Sequence, residues 1–147
     1  TGSQSLLVRN DEVMDRYGQA RDPIAIYIEQ HLTMDASGTL KLLFDQHAWN
    51  STISFAPAIP VLLDGTLELD FAPDVDVASQ IGCTFVLFDW SGVDVVGQFT
   101  TVRSPYQWDF SQLYSTGKVT LIPEPTGWLL AVLGVGIFSL VRCRQKC

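Results

Sequence analysis

The sequence predicts an all-β body followed by one C-terminal apolar α-helix. Three observations carry that prediction. Apolar and polar residues alternate over short runs, turn-forming residues recur between the runs, and residues 128–141 hold no charge. Short strands of this kind either coil into a β-solenoid or pack as a β-sandwich, and the pattern leaves both open.

Residues 1–22 form an irregular or partly helical lead-in. Asp11, Val13, Met14 and Tyr17 fit one turn of helix, which Gly18 and Pro23 bring to an early end. The β-rich domain spans residues 23–122. From Ile24 the period becomes two: Ile24, Ile26 and Ile28 alternate with Ala25, Tyr27 and Glu29, and Gln30, Leu32 and Met34 keep that phase. Asp35-Ala36-Ser37-Gly38 is a turn, because Gly accepts positive φ and Asp and Ser bond their own backbone. Leu40, Leu42 and Phe44 resume the strand pattern.

After a looser segment with Pro57 and Pro60, the same unit recurs. Residues 61–63 lead to the Asp64-Gly65 turn, and Leu67, Leu69 and Phe71 alternate with Glu68 and Asp70. Residues 83–90 are nearly continuously apolar, as in a strand covered on both faces. Gly97, Phe99, Thr101 and Val102 follow the Ser91-Gly92 turn, and residues 118–122 make a last strand. No amphipathic helix stands out in this body.

The chain has 147 residues, with 47% hydrophobic and 17% charged residues, a composition that supports a packed core. Residues 1–125 hold all 16 acidic residues and six of the nine basic ones, while Arg142, Arg144 and Lys146 supply the rest. So acidic a body repels phosphate, which argues against nucleic acid as a partner. Of the three cysteines, Cys83 reads as an unpaired, buried apolar residue, and Cys143 and Cys147 sit in the basic tail.

Little in the chain points to chemistry. His31 and His47 stand sixteen apart with no metal-ligand spacing around them, and the reading assigns no metal, no cofactor and no catalytic residue. Asp64, Glu68, Asp70, Asp74 and Asp76 form a dense carboxylate group. It reads as a solvated face, since residues 74–76 lack the glycine and third ligand of a calcium loop. Trp90, Tyr106, Trp108, Phe110 and Tyr114 read as core before they read as a sugar-binding platform.

The tail has three parts in order. Pro123, Glu124 and Pro125 cannot continue a sheet and form an extended, accessible spacer. A helix over about residues 127–141 follows. Its membrane-seeking residues are Trp128, Leu129, Leu130, Val132, Leu133, Val135, Ile137, Phe138, Leu140 and Val141. Residues 128–141 would span about 21 Å as a helix, short of the roughly 30 Å of hydrocarbon in a bilayer. The flanks favour membrane all the same: Trp128 suits an interface, and Arg142, Arg144 and Lys146 act as a cytoplasmic stop.

This order resembles the PEP-CTERM sorting domain of exported bacterial proteins. Pro123, Glu124 and Pro125 match its first element, Leu129 through Val141 its apolar segment, and Arg142 with Arg144 its basic end, here interrupted by Cys143 and Gln145. The resemblance implies recognition by an exosortase, a membrane-embedded Cys-dependent transpeptidase-like enzyme, with processing near residues 123–125. Several body motifs run through Gly82-Cys83-Thr84-Phe85, Gly97-Gln98-Phe99, Trp108-Asp109 and Ser115-Thr116-Gly117. They resemble the segment that closes autotransporter-like β-solenoid passengers in planctomycete-like surface proteins.

The expectation is therefore a non-catalytic exported envelope protein. Its tail lies first in the inner membrane with the basic end cytoplasmic, and the body goes to the cell surface after processing. The expected partners are membrane lipid, an exosortase-type enzyme and extracellular polysaccharide. The alternative is an anchor and accessory carbohydrate-binding domain of a larger polysaccharide-acting enzyme.

Overall fold

The computed structural model describes the backbone of residues 5–9 and, in full, residues 26–45, 49 and 51–124. The lead-in helix turn at residues 11–17, and the tail from Pro125 onward, lie outside the described residues. What is described is dominated by β-strands, as the alternating pattern requires.

The strands wind as successive coils. A first strand, β1 (Ser5–Arg9), precedes a coil made of β2 (Ile26–Ile28), β3 (Leu32–Thr33) and β4 (Thr39–Phe44). The second coil is β5 (Ile53–Phe55), β6 (Val61–Leu63) and β7 (Thr66–Phe71). After a single 3-10 turn, Val77–Gln80, and the short strand β8 (Thr84–Val86), a third coil follows as β9 (Phe88–Asp89), β10 (Val95–Gly97) and β11 (Thr101–Arg103). The chain closes with β12 (Trp108–Asp109), one turn of helix α1 (Leu113–Thr116) and β13 (Lys118–Leu121).

Equivalent strands of successive coils pair in parallel, which gives three sheets ordered β2-β5-β9, β3-β6-β10 and β1-β4-β7-β11. Parallel strands cannot be joined by a tight hairpin, so the turns foreseen in the sequence have a different job. Asp35–Gly38 and Asp64–Gly65 are corners that carry the chain from one sheet to the next within a coil, and they stack. The Thr66 amide donates to the Gly38 carbonyl at 2.9 Å, and the Thr101 amide to the Gly65 carbonyl at 3.0 Å.

Register explains the core. Leu40 aligns with Leu67, Leu42 with Leu69 and Phe44 with Phe71, all of them buried and pointing inward. Their neighbours Lys41 and Glu68 align on the outer face, where the Lys41 ammonium pairs with Glu68 and lies 3.6 Å from the Asp70 carboxylate. Such like-on-like stacking of apolar residues is what lets each coil bury a face that it could not bury alone.

Two expected strands come out differently. Residues 24–34 do not form one strand; a bend at Glu29 and Gln30 separates β2 from β3, which belong to different sheets. The constant period of two hid that corner, because the inward phase resumes after it. Nor is the run at residues 83–90 covered on both faces. Phe85 is buried between exposed Thr84 and Val86, the phase slips where Leu87 and Phe88 are both buried, and Asp89 is exposed again. The slip is the junction of β8 with β9, where the amides of Leu87 and Phe88 both donate to the Gly117 carbonyl at 2.8 and 3.2 Å.

The fourth wall is antiparallel, ordered β12-β13-β8. It carries Phe85 and Trp108 onto the ends of the coils, with ring centroids 4.6 and 5.5 Å from Phe44. At the far end of the third coil, α1 supplies Leu113, fully buried, and Tyr114, whose hydroxyl accepts from the Phe99 amide at 3.0 Å. The helix, which sequence periodicity missed because one turn has no period, is the plug of that end. Cys83, 7% exposed, is buried as expected but is disulfide-bonded, contrary to the unpaired reading.

Candidate functional sites

Each site follows from where the coils leave side chains. At the C-terminal exit, the Leu121 amide donates to the Cys83 carbonyl and the Ile122 amide to the Gln107 carbonyl, both at 3.0 Å. Pairing then stops, because Pro123 has no N–H to donate. Pro123 is half-buried and Glu124 exposed, so the first two residues of the Pro-Glu-Pro run lie at the surface, directly after the last strand. Pro125, the apolar residues from Trp128 to Val141 and the basic Arg142, Arg144 and Lys146 lie outside the described residues. Among the described residues no helix is long and apolar enough to cross a membrane.

The carboxylates do not converge. Asp64 sits at a corner, accepting from the Gly65 amide at 2.7 Å and from the Thr100 hydroxyl, and these bonds hold its carboxyl below the usual range. Glu68 and Asp70 face Lys41, whose own pKa the Glu68 hydrogen bond raises. Asp74 and Asp76 are exposed around the 3-10 turn, and His31 is exposed just after the bend at Glu29 and Gln30. Among the described residues no three metal-ligating side chains come together.

The aromatic group is core. Trp90 stacks on Phe88 at 4.5 Å and on Phe55 at 5.2 Å, and its indole N–H donates to the Leu113 carbonyl at 2.8 Å. Trp108 stacks on Phe71 at 5.8 Å and donates to the Ser104 hydroxyl at 2.8 Å. Tyr106, Phe110 and Tyr114 are half-buried against the same cluster, and burial raises the pKa of the Tyr114 phenol. With both indoles about nine-tenths buried, no flat platform is left for a sugar ring.

Two concavities were not foreseen. One, of about 500 Å³, is open and of mixed lining, with Thr52, Ser54, Asp89 and Lys118 beside Val86 and Phe88. Its residues come from separate parts of the chain, so no local motif marked it. Asp89 in it is already committed to the Ser91 hydroxyl and amide, which lower its pKa. The second, of about 390 Å³, is apolar and lies at the β2 and β3 end of the coils. The chain matches no known family model, no curated protein and no solved structure.

Proposed function

We propose that this chain is the closing part of an exported β-solenoid envelope protein, whose end from Pro123 onward is a sorting and membrane-anchoring signal read by an exosortase. The protein does no chemistry of its own, and the body is cargo for display at the cell surface or in the extracellular matrix. The observation that carries this reading is the position of the motif. The last core strand ends at Leu121, the sheet cannot continue through Pro123, and Glu124 stands exposed where a processing enzyme has access. An uncharged apolar segment and a basic end then follow in the order that such a signal requires.

Intact mass analysis of the protein from its host tests the reading. A mature product ending near Pro125, with Glu124→Ala blocking its formation, is the expected result. An intact Cys147 on surface protein would overturn it.

A further inference from the structure

The two ends of the coil stack are unlike. The third coil is plugged by α1, with Leu113 fully buried beneath Trp90. At the other end Ile26, Ile28, Leu32, Met34, Leu40 and Ile53 line the open apolar cavity of about 390 Å³. There β2 and β3 are edge strands, with no further strand paired to them among the described residues, whereas β4 is already covered by β1 in parallel register, Ser5 opposite Thr39. One sheet thus has a layer that the other two lack.

The arc of a coil says what that layer is. Ile26 and Thr39, Ile53 and Thr66, and Phe88 and Thr101 begin the first and third strands of the three coils, and each pair is thirteen residues apart. The first strand also presents apolar residues inward at fixed places, Ile26 and Ile28, Ile53 and Phe55, Phe88 and Trp90. Because β1 holds the same register on β4 that β4 holds on β7, it is the third strand of a coil of the same kind. From this geometry we propose that the apolar end is a stacking face, and that its occupant is the rest of that coil: two parallel strands of the same polypeptide lying ahead of β1. A second copy of the chain is disfavoured by the arrangement, since the plugged end offers no matching face and two open ends would have to meet with strands antiparallel.

This inference does not involve residues 123–147 and stands or falls apart from the sorting reading. It makes a prediction readable from the natural coding sequence: apolar residues thirteen and eleven places ahead of Ser5, with polar residues between. The absence of that pair would overturn it. The second test is amide hydrogen exchange on the full natural polypeptide. The amides of Leu32 and Met34 are bonded to the second coil, and strand alternation turns those of Tyr27 and Thr33 toward the open edge. Stacking would slow exchange at Tyr27 and Thr33 at least about tenfold relative to the exposed Gly92 and Gln98. Exchange as fast as in those loops, or slowed only at concentrations where the protein dimerises, would refute the proposal.

Discussion

Gly117 is the residue on which the closing module turns. Its φ is +70°, and a Cβ placed there would overlap the carbonyl oxygen of Phe88, whose strand it abuts. Gly82 has a similar φ of +86° but nothing within 4 Å of its missing side chain. Urea unfolding separates the two effects. Gly82→Ala is expected to cost about 1 kcal/mol, the left-handed penalty alone, and Gly117→Ala at least about 2 kcal/mol, because strain and overlap add. Phe44, 1% exposed and in contact with the rings of Trp49, Phe71, Phe85 and Trp108, is with Phe88 among the largest fully buried side chains of the described residues. Its replacement by Ala is expected to cost about 3–5 kcal/mol in the same measurement. Three corners share a local device: the carboxylates of Asp35, Asp89 and Asp109 accept from the amides of Ser37, Ser91 and Ser111, at 2.8, 3.0 and 2.8 Å. Each Asp is held below its ordinary pKa by those serines. A depressed carboxylate stabilises the fold above its unfolded pKa, near 4, and that contribution fades as pH falls through the folded value. Acid titration of stability should therefore be shallower in a triple Asp→Asn variant than in the parent, and an unchanged slope would contradict the assignment.

At the level of elements, alternation told which residues face inward but not which strand pairs with which. Leu40, Leu42 and Phe44 were legible as an inward face, and so were Leu67, Leu69 and Phe71. That the two runs lie side by side in parallel was not, since period two is the same in a hairpin and in a coil. Corners with Asp and Gly announced themselves at residues 35–38 and 64–65, whereas the bend at Glu29 and Gln30, made of ordinary polar residues, did not. The junction at Leu87 and Phe88 shows the same limit from the other side, because two adjacent buried residues look like a strand buried on both faces when they are a strand changing sheets. The cleft beside Asp89 was out of reach for a different reason, since its lining is assembled from residues as distant as Thr52 and Lys118.

For the molecule as a whole, the body and the tail make separate predictions. Moving residues 123–147 onto an unrelated exported reporter should carry it to the envelope of a host that has the processing enzyme. Fractionation and immunoblotting would show a shortened product there, and an uncleaved, membrane-bound product in a strain that lacks the enzyme. The body, with its apolar interior running along the coil axis, draws its stability from contacts between adjacent layers, as in other stacked architectures.

The constant thirteen-residue arc has an outcome for how such a chain can change. Between β4 and β5 the connection is short, and between β7 and β9 it swells to include the 3-10 turn and β8, yet the arc from first to third strand keeps its length in all three layers. One leg of the circuit is elastic and the rest behaves as a fixed ruler. A loop grafted between Asp74 and Ile81 should leave the fold standing, while a single residue inserted directly after Gly65 would swap inside for outside along the strand, setting Glu68 where Leu69 had been. Growth by addition of whole layers, with ornament confined to the elastic leg, is the mode of variation that this geometry permits.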